Sequence, residues 1–419
     1  MDDDRVIEDG AIAIKDGRIV FVGKNALSNT TAEKKINSKG KVAIPGLVNL
    51  HTHVPMTLLR GIAEDLPLDV WLKKTIWPIE WKLRPEDVHV GALLGCLEMI
   101  KSGTTCFADM YFNEDKVAKA VEESGLRAVL AEGIIETENK ALRKAILKRS
   151  VTFAKSFRDR AHGRIGTMLA PHSAYSCGRE LLTEIAEKAA QLDLGVHIHL
   201  AESRRQFARL QRKYRCGEVE FLDKIGFLKD NVLAAHCIDL STKDRLILAK
   251  RGINVAYVPV SNMKLGLGVA RTENLIDLGI NVGLGTDGAA CNNTLDMFET
   301  MKIAPLMQKL VCGDPVVMSA FQTLKMATVC GAKALGLENE VGTLEVGKKA
   351  DIILIDFSKP HLKPLHDVCA SIVYSARGSD VDTVIVDGRI LMEKRHAKTL
   401  KEQQVMMEAE ETASALLSR

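Results

Sequence analysis

The chain has 419 residues, of which 46% are hydrophobic, and its 57 basic and 54 acidic residues leave a formal net charge of +3 at pH 7. This length allows a large buried core, and the near balance of charge gives no reason to expect nucleic acid or an anionic membrane as a partner. No apolar run approaches the length of about 18 residues that a transmembrane helix needs, and the acidic start of the chain is unlike a signal peptide. The nine cysteines are widely spaced and form no Cys-x-x-Cys pair, which indicates reduced thiols in a cytoplasmic protein.

Both ends of the chain are predicted to be rich in β-strands. Within residues 1–44, two alternating apolar runs flank Asp16-Gly17, a dipeptide that favours a hairpin turn. Residues 336–419 carry similar runs around a second Asp-Gly turn and end in a helical tail. The sequence therefore predicts one small β-sandwich domain that both chain termini build together.

The middle of the chain, residues 45–335, follows a different pattern in which strand-like and helical stretches alternate. The predicted strands cover residues 47–51, 104–109, 127–133, 164–171, 196–201, 232–236, 254–260 and 281–285. The predicted helices include residues 85–100, 178–192, 203–225, 241–251 and 295–310. Eight strand–helix units predict an α/β fold of the (β/α)8 TIM-barrel type. A doubly wound sheet is the alternative, but the sequence contains neither a GxGxxG nor a Walker A phosphate loop.

Polar side chains follow five of the eight predicted strands. They are His51 and His53 after the first strand, His172 after the fourth, His199 and Glu202 after the fifth, His236 after the sixth and Asp287 after the eighth. Barrel chemistry is located where strands end, and buried histidines and acids are costly without partners. A catalytic metal site would explain the whole set, and nitrogen and oxygen donors suit Zn²⁺, with Fe²⁺ and Mn²⁺ as alternatives.

Three further polar features receive a structural interpretation. His197 lies one pleat deeper than His199, so we expect it inside the barrel, packed there or supporting a ligand. Asp109 ends the second strand, where we expect it to accept hydrogen bonds from loop amides. The basic cluster between residues 204 and 215 is predicted to form a solvated helix face.

Eight segments of the sequence together resemble the amidohydrolase superfamily. They read PGLVNLHTHVPMTLLRG, WPIEWKL, SGTTCFADMYF, APHSAYSC, HIHLAES, AAHCIDLS, PVSNMKLGLGVA and GLGTDGAACNNTLDMFETMK. More narrowly, they resemble the 5-methylthioadenosine/S-adenosylhomocysteine deaminase family, which includes 5'-deoxyadenosine deaminases. The resemblance extends from about residue 5 to about residue 395. It implies hydrolytic deamination of an adenine nucleoside at C6, giving the inosine analogue and ammonia.

The resemblance also implies the roles of the site residues. One divalent metal, usually zinc, is held by residues that match His51, His53, His199 and Asp287. Glu202 matches the acid that protonates a purine ring nitrogen, His236 matches the residue that orients the attacking water, and Asp287 can take a proton from that water. Glu80 matches a carboxylate that binds the ribose hydroxyls, His172 a histidine that contacts the substrate, and Trp71 an aromatic side chain near the ligand.

Three positions bear on the choice of substrate within that family. Members that accept S-adenosylhomocysteine tend to carry an arginine where this chain has Glu132, and a carboxylate there should repel the amino-acid carboxylate of that substrate. Arg143 is either the match to a second arginine of the same subsite or an exposed helix residue. The chain is therefore expected to favour 5'-deoxyadenosine, 5'-methylthioadenosine or adenosine. Cys291 stands where serine is common, and a thiol is a weaker hydrogen-bond donor.

Other functions fit parts of the same pattern. A guanine deaminase or a triazine-type chlorohydrolase belongs to the same superfamily, but neither substrate has a sugar for Glu80 to bind. A non-catalytic barrel would not need the intact set of ligands and acids. The family is commonly oligomeric, so the resemblance also implies a homo-oligomer.

Overall fold

The computed structural model of the protein describes residues 6–24, 31–137 and 139–419. The acidic start of the chain at residues 1–5 lies outside the described residues. The strands are β1 (Gly10–Lys15), β2 (Arg18–Lys24), β3 (Lys41–Pro45), β4 (Leu47–Thr52), β5 (Thr104–Tyr111), β6 (Arg127–Ile134), β7 (Ile165–Pro171), β8 (Gly195–Leu200), β9 (Val232–His236), β10 (Asn254–Tyr257), β11 (Asn281–Leu284), β12 (Ile352–Asp356), β13 (Val381–Val386), β14 (Arg389–Glu393) and β15 (His396–Ala397).

The helices separate the barrel strands and close the C-terminal end of the chain. They are α1 (Leu68–Val70), α2 (Trp77–Glu80), α3 (Pro85–Ser102), α4 (Glu114–Ser124), α5 (Lys140–Phe157), α6 (Arg160–Gly163), α7 (Arg179–Leu192), α8 (Arg204–Tyr214), α9 (Glu218–Lys224), α10 (Thr242–Arg251), α11 (Pro259–Lys264), α12 (Thr272–Asp277), α13 (Ala289–Asn292), α14 (Met297–Cys312), α15 (Ala320–Met326), α16 (Val329–Ala334), α17 (Val368–Ala370) and α18 (Glu402–Ser418). Among the described residues, no helix is both long enough and apolar enough to cross a membrane.

Eight parallel strands, β4 to β11, form a nearly closed barrel in which each strand lies beside the next one in the chain. The rim between β11 and β4 is joined by a hydrogen bond from the Asp287 backbone N–H to the His51 carbonyl, at 2.8 Å. Strands buried on both faces should be apolar throughout, and the run Val129–Leu130–Ala131 of β6 is buried without a break. The predicted (β/α)8 barrel is therefore confirmed.

The two chain termini share a small β-sandwich. β3 from the N-terminal part pairs antiparallel with β12, at the edge of a five-stranded sheet that is otherwise C-terminal. The β1–β2 hairpin forms the second layer, and Ile19 packs there with Ile352 and Ile385. The two Asp-Gly turns meet, because a Cβ on Gly388 would lie 2.8 Å from the Gly17 Cα. This close approach, together with a positive φ of 75° at Gly388, requires glycine there.

Two predicted elements differ from the structure. The helix expected over residues 203–225 is broken into α8 and α9, because Arg215 adopts a left-handed φ of 60° and Gly217 begins the next helix. The strand expected over residues 254–260 ends at Tyr257, because Pro259 begins α11 and cannot donate to a strand ladder.

A buried ion pair connects the lower end of the barrel to the sandwich. Arg127, at the start of β6, donates two hydrogen bonds to Asp351, from Nε at 2.9 Å and from Nη2 at 3.1 Å. Both side chains are almost fully buried. Removing one partner of a buried pair leaves an uncompensated charge, so Arg127→Met should lower the free energy of unfolding by about 3–5 kcal/mol in denaturant titration.

The exposed pair between Arg18 and Glu340 provides the matched control. Arg18→Met should change the free energy of unfolding by less than about 1 kcal/mol, because solvent already screens that pair. Equal losses in the two variants would show that the pair with Asp351 does not hold the barrel and sandwich together.

Candidate active site

A cavity opens at the C-terminal ends of the barrel strands, where the site was predicted. Most of the predicted site residues line this cavity: His53, Trp71, Glu80, His172, His199, Glu202, His236 and Asp287. His51 lies directly beneath it and is fully buried. The barrel therefore brings side chains from β4, β7, β8, β9 and the loop after β11 to one point.

Three histidines and one carboxylate form the centre of this cavity. The Nε2 atoms of His53 and His199 are 3.3 Å apart. Asp287 Oδ1 lies 3.4 Å from His53 Nε2 and 3.7 Å from His51 Nε2. The donor atoms of the three histidines lie within 4.8 Å of one another, as do those of His51, His236 and Asp287, so each of these overlapping groups could hold one ion.

The hydrogen bonds behind these rings determine which nitrogen faces the cavity. His53 Nδ1 donates to the Met110 carbonyl at 2.6 Å, and His199 Nδ1 donates to the His172 carbonyl at 2.8 Å. A carbonyl can only accept, so the Nε2 atom of each neutral ring carries a lone pair. Each lone pair is held in the orientation that a metal requires.

These lone pairs fit a metal cation and fit poorly without one. His51 Nε2 is buried and has no hydrogen-bond partner among the described residues. The lone pairs of His53 and His199 face each other at 3.3 Å, which is repulsive unless a positive charge lies between them. The donor set of neutral imidazoles and one carboxylate is that of a zinc-type site.

The pKa values of these groups agree with metal binding. Burial, followed by repulsion from neighbouring histidines, lowers the pKa of His51 and His199 well below the usual value. Burial raises the pKa of Asp287, but His53, His236 and two hydrogen bonds outweigh it and leave that pKa below its ordinary value. These directions favour neutral rings for His51 and His199 and an ionised carboxylate for Asp287, as metal binding requires.

Two of the polar side chains that line the cavity, those of His236 and Asp287, belong to residues with an unusual backbone conformation. His236 has a φ of 73° and Asp287 a φ of 68°, both in the left-handed region that few non-glycine residues adopt. Both residues stand where a strand ends and the chain turns. Such strain persists where the surrounding structure enforces it, and it is frequent at active sites.

Two carboxylates are present in the same cavity, in different surroundings. Glu202 accepts a hydrogen bond from Gln206 Nε2 at 2.9 Å, and its other oxygen lies 3.9 Å from His236 Nε2. Asp287 instead faces the histidine centre. One carboxylate therefore lies among the histidine nitrogens and the other lies beside them, which suits two separate proton-transfer roles.

The outer part of the cavity carries a third carboxylate. Glu80 accepts a hydrogen bond from the Tyr111 hydroxyl at 2.6 Å, and burial raises its pKa. Trp71 lies nearby, with 5% of its surface exposed. His172 is hydrogen-bonded through Nδ1 to the Ser176 hydroxyl at 3.0 Å, and burial lowers its pKa to about 4. These polar groups can bind the hydroxyls and ring of a ligand.

Two charged residues lie outside the cavity. Arg143 is paired with Glu136 at 3.3 Å and with Glu180 at 3.2 Å, and its role in substrate binding stays a prediction. The expected repulsion by Glu132 is wrong. Its side chain faces away from the cavity, accepts hydrogen bonds from the backbone of residues 113 and 114, and pairs with Arg149.

The interpretations of His197 and Asp109 are confirmed. His197 Nε2 lies 2.9 Å from His51 Nδ1 inside the barrel. Asp109 accepts hydrogen bonds from the Val54 N–H at 2.8 Å and from the Thr52 hydroxyl at 2.6 Å. Both side chains thus hold the strand end that carries His51 and His53.

Several residues of the site were missed in the sequence analysis. Tyr111 donates to Glu80, Ser261 donates to Asp287, and Asn262 accepts from His236. All three lie inside sequence motifs that resemble those of the amidohydrolase superfamily. Only their distance in space, which the sequence does not give, links them to their partners.

The fold and the site together define a class of protein, the metal-dependent barrel hydrolases. Histidine and carboxylate groups that could hold a metal ion lie at the C-terminal rim, and a further carboxylate, Glu202, lies in the same cavity. The chain belongs to the amidohydrolase family, whose sequence profile matches residues 42–391. The resemblance seen in the sequence motifs is thereby confirmed.

Known relatives span nearly the whole chain. The 5'-deoxyadenosine deaminase of Methanosarcina acetivorans is 48% identical over 413 residues, covering 99% of this chain and 95% of the relative. The 5-methylthioadenosine/S-adenosylhomocysteine deaminase of Moorella thermoacetica is 49% identical, covering 96% and 94%. The crystal structure of an adenosine deaminase from Xanthomonas campestris with bound zinc has a TM-score of 0.95 at 33% identity, covering 99% and 95%.

Proposed function

We propose that the protein hydrolyses the C6 amine of adenine nucleosides to give the inosine analogue and ammonia. The observation that carries this proposal is the presence of two carboxylates in one cavity, with Asp287 close to the nitrogens of His51 and His53 and Glu202 beside His236. The deaminase names of the relatives support the same reaction. The catalytic unit is the barrel of residues 45–335, and residues 1–44 and 336–419 form the supporting β-rich domain.

A metal ion would be held by His51, His53, His199 and Asp287. Zinc is the favoured ion because the donors suit it and because the Xanthomonas campestris relative contains it. When bound, the metal supplies a water molecule of lowered pKa next to the substrate ring. The remaining steps belong to side chains of the protein.

Proton transfer is divided between the two carboxylates. Asp287 accepts a proton from the attacking water as its oxygen bonds to C6. Glu202 delivers a proton to the ring nitrogen, which gains electrons during the attack. Asp287 then returns its proton to the amine, the C6–N bond breaks as ammonia leaves, and the proton of the new C6 hydroxyl passes to Glu202, so both carboxylates regain their starting states. His236, whose Nδ1 donates to Asn262, offers its Nε2 lone pair as an acceptor that orients the attacking water.

The sugar and the 5' group are bound in the outer part of the cavity. The carboxylate of Glu80, fixed by Tyr111, accepts hydrogen bonds from the two ribose hydroxyls. The described lining of the cavity also includes apolar side chains, among them Leu68, Leu72 and Ile135. None of the described residues that line the cavity is a lysine or an arginine. These walls favour an uncharged 5' substituent.

We therefore expect the zinc-loaded protein to deaminate 5'-deoxyadenosine, 5'-methylthioadenosine and adenosine. S-adenosylhomocysteine should have a kcat/KM lower by about 10-fold or more. Its charged amino-acid group would lose bound water in the cavity without gaining an ion-pair partner. The measurement is ammonia release together with the ultraviolet shift from adenine to hypoxanthine, on the four nucleosides and guanine in parallel.

Other outcomes of this panel have definite meanings. Strong turnover of S-adenosylhomocysteine would show that a cation reaches its carboxylate, and Arg143 would be the first candidate. Turnover of guanine alone would replace the proposed function by the guanine deaminase alternative and would remove ribose as the partner of Glu80. The homo-oligomeric state and the cytoplasmic location stay predictions.

A further inference from the structure

Two consecutive residues of the short helix α11 reach two different members of the active site. The helix follows β10, which lies between β9 and β11 in the barrel. Ser261 and Asn262 are both fully buried. Neighbouring helix residues point about 100° apart. The Asn262 side chain therefore reaches the end of β9, and the Ser261 side chain reaches the loop after β11.

Ser261 controls the orientation of Asp287. Its hydroxyl donates to Asp287 Oδ2 at 2.6 Å, while the Gly288 N–H donates to Oδ1 at 2.7 Å. Oδ1 is the oxygen nearest to the histidine centre, at 3.4 Å from His53 Nε2. The two donors therefore fix the carboxylate plane and leave Oδ1 facing the ligand site.

Asn262 controls the tautomer of His236. Its Oδ1 atom lies 2.9 Å from His236 Nδ1, and an amide oxygen can only accept. The proton of the neutral ring is therefore on Nδ1, and the Nε2 lone pair faces Glu202 and the cavity. The amide Nδ2 of Asn262 is buried without a hydrogen-bond partner among the described residues. An unpaired buried donor lowers stability. The presence of this amide is therefore better explained by its hydrogen bond to His236 than by a contribution to stability.

We propose that Ser261 and Asn262 form a two-point support in α11, in which Ser261 positions the metal ligand Asp287 and Asn262 positions His236. The proposal deepens the proposed function and rests on it for its kinetic consequences. Ser261 and Asn262 are positioning residues, because each acts through another side chain. Replacing Ser261 should weaken zinc binding, whereas replacing Asn262 should lower kcat.

The Ser261 half is tested by zinc affinity, which needs no substrate. Ser261→Ala should raise the zinc Kd by about 10-fold or more in chelator competition, since it frees a metal ligand to rotate. Ser261→Thr keeps the hydroxyl and should bind zinc more tightly than the isosteric Ser261→Val, a comparison that holds even if the alanine variant fails to fold. Ser150→Ala removes another buried hydroxyl, bonded to the Glu132 carbonyl, and is the control. Equal zinc affinities for the threonine and valine variants would overturn this half.

The Asn262 half is tested by kinetics and by the ring tautomer. Asn262→Ala should lower kcat for 5'-deoxyadenosine by about 10- to 100-fold and change KM and the zinc Kd by less than about threefold. Asn281→Ala, at the opposite end of the barrel, is the control and should leave kcat unchanged. Nuclear magnetic resonance of ¹⁵N-histidine should show His236 protonated on Nδ1 in the wild type and a mixed tautomer in Asn262→Leu, which keeps the branched side-chain shape but not the amide.

The two tests separate failure of this proposal from failure of the proposed function. If the wild-type protein does not deaminate any nucleoside, the proposed function fails, but zinc affinity and the His236 tautomer still decide the roles of Ser261 and Asn262. Wild-type kcat in Asn262→Ala, or a wild-type ring protonated on Nε2, would overturn the Asn262 half.

Discussion

Replacing Glu202 with glutamine should leave the metal site intact and lower kcat by about 10³-fold, within the range for loss of a general acid. Glu202 stands 3.9 Å from His236 and outside the ligand group, so its amide analogue removes a transferable proton and no metal donor. The hydrogen bond to Gln206 can be kept through the amide oxygen. The measurement is steady-state deamination of 5'-deoxyadenosine with the zinc content determined on the same sample.

Glu220→Gln is the matched control for this variant. Glu220 is an α9 carboxylate paired with Lys224 and Lys243 on the surface, and its loss should not change kcat. Turnover of Glu202→Gln within a few-fold of the wild type, at full zinc content, would show that another group protonates the ring.

Replacing Asp287 with alanine should remove zinc and activity together. The carboxylate lies 3.4 Å from His53 Nε2 and 3.7 Å from His51 Nε2, and it is the anionic member of the donor set. Loss of a ligand should weaken zinc binding by more than the roughly 10- to 100-fold that outer hydrogen-bond partners contribute. Elemental analysis after dialysis should give much less than one zinc per chain, and turnover should fall below detection.

The exposed Asp277→Ala variant, at the end of α12, controls for loss of a carboxylate as such. It should keep both zinc and turnover. If Asp287→Ala retained zinc at the wild-type affinity, the ion would have to be held by histidines alone, and the assigned ligand set would be incorrect.

The barrel and the position of its site were accessible from the sequence for a physical reason. Buried parallel strands are apolar runs, and a histidine or acid that ends such a run is conspicuous, as His51 and His236 show. The position of a strand end in a barrel then places the side chain at the common rim. Local pattern and chain order are enough for this inference.

Features that depend on contacts across the barrel were not accessible in this way. Glu132 continues a buried strand, and only the pleat of β6 shows that it faces away from the cavity. The break between α8 and α9 depends on one left-handed residue, Arg215, whose type does not require it. Ser261 and Asn262 look like ordinary helix residues until β9 and β11 are placed on either side of β10.

We propose that this histidine and carboxylate site deaminates adenine nucleosides with the help of one metal ion. The most direct measurement is the rate of ammonia release and of the adenine-to-hypoxanthine ultraviolet shift on 5'-deoxyadenosine, as zinc is titrated into the metal-free protein. We expect equal rates by both signals, rising in proportion to zinc and reaching a plateau at one ion per chain. Full zinc occupancy without either signal would show that the site does not deaminate this nucleoside.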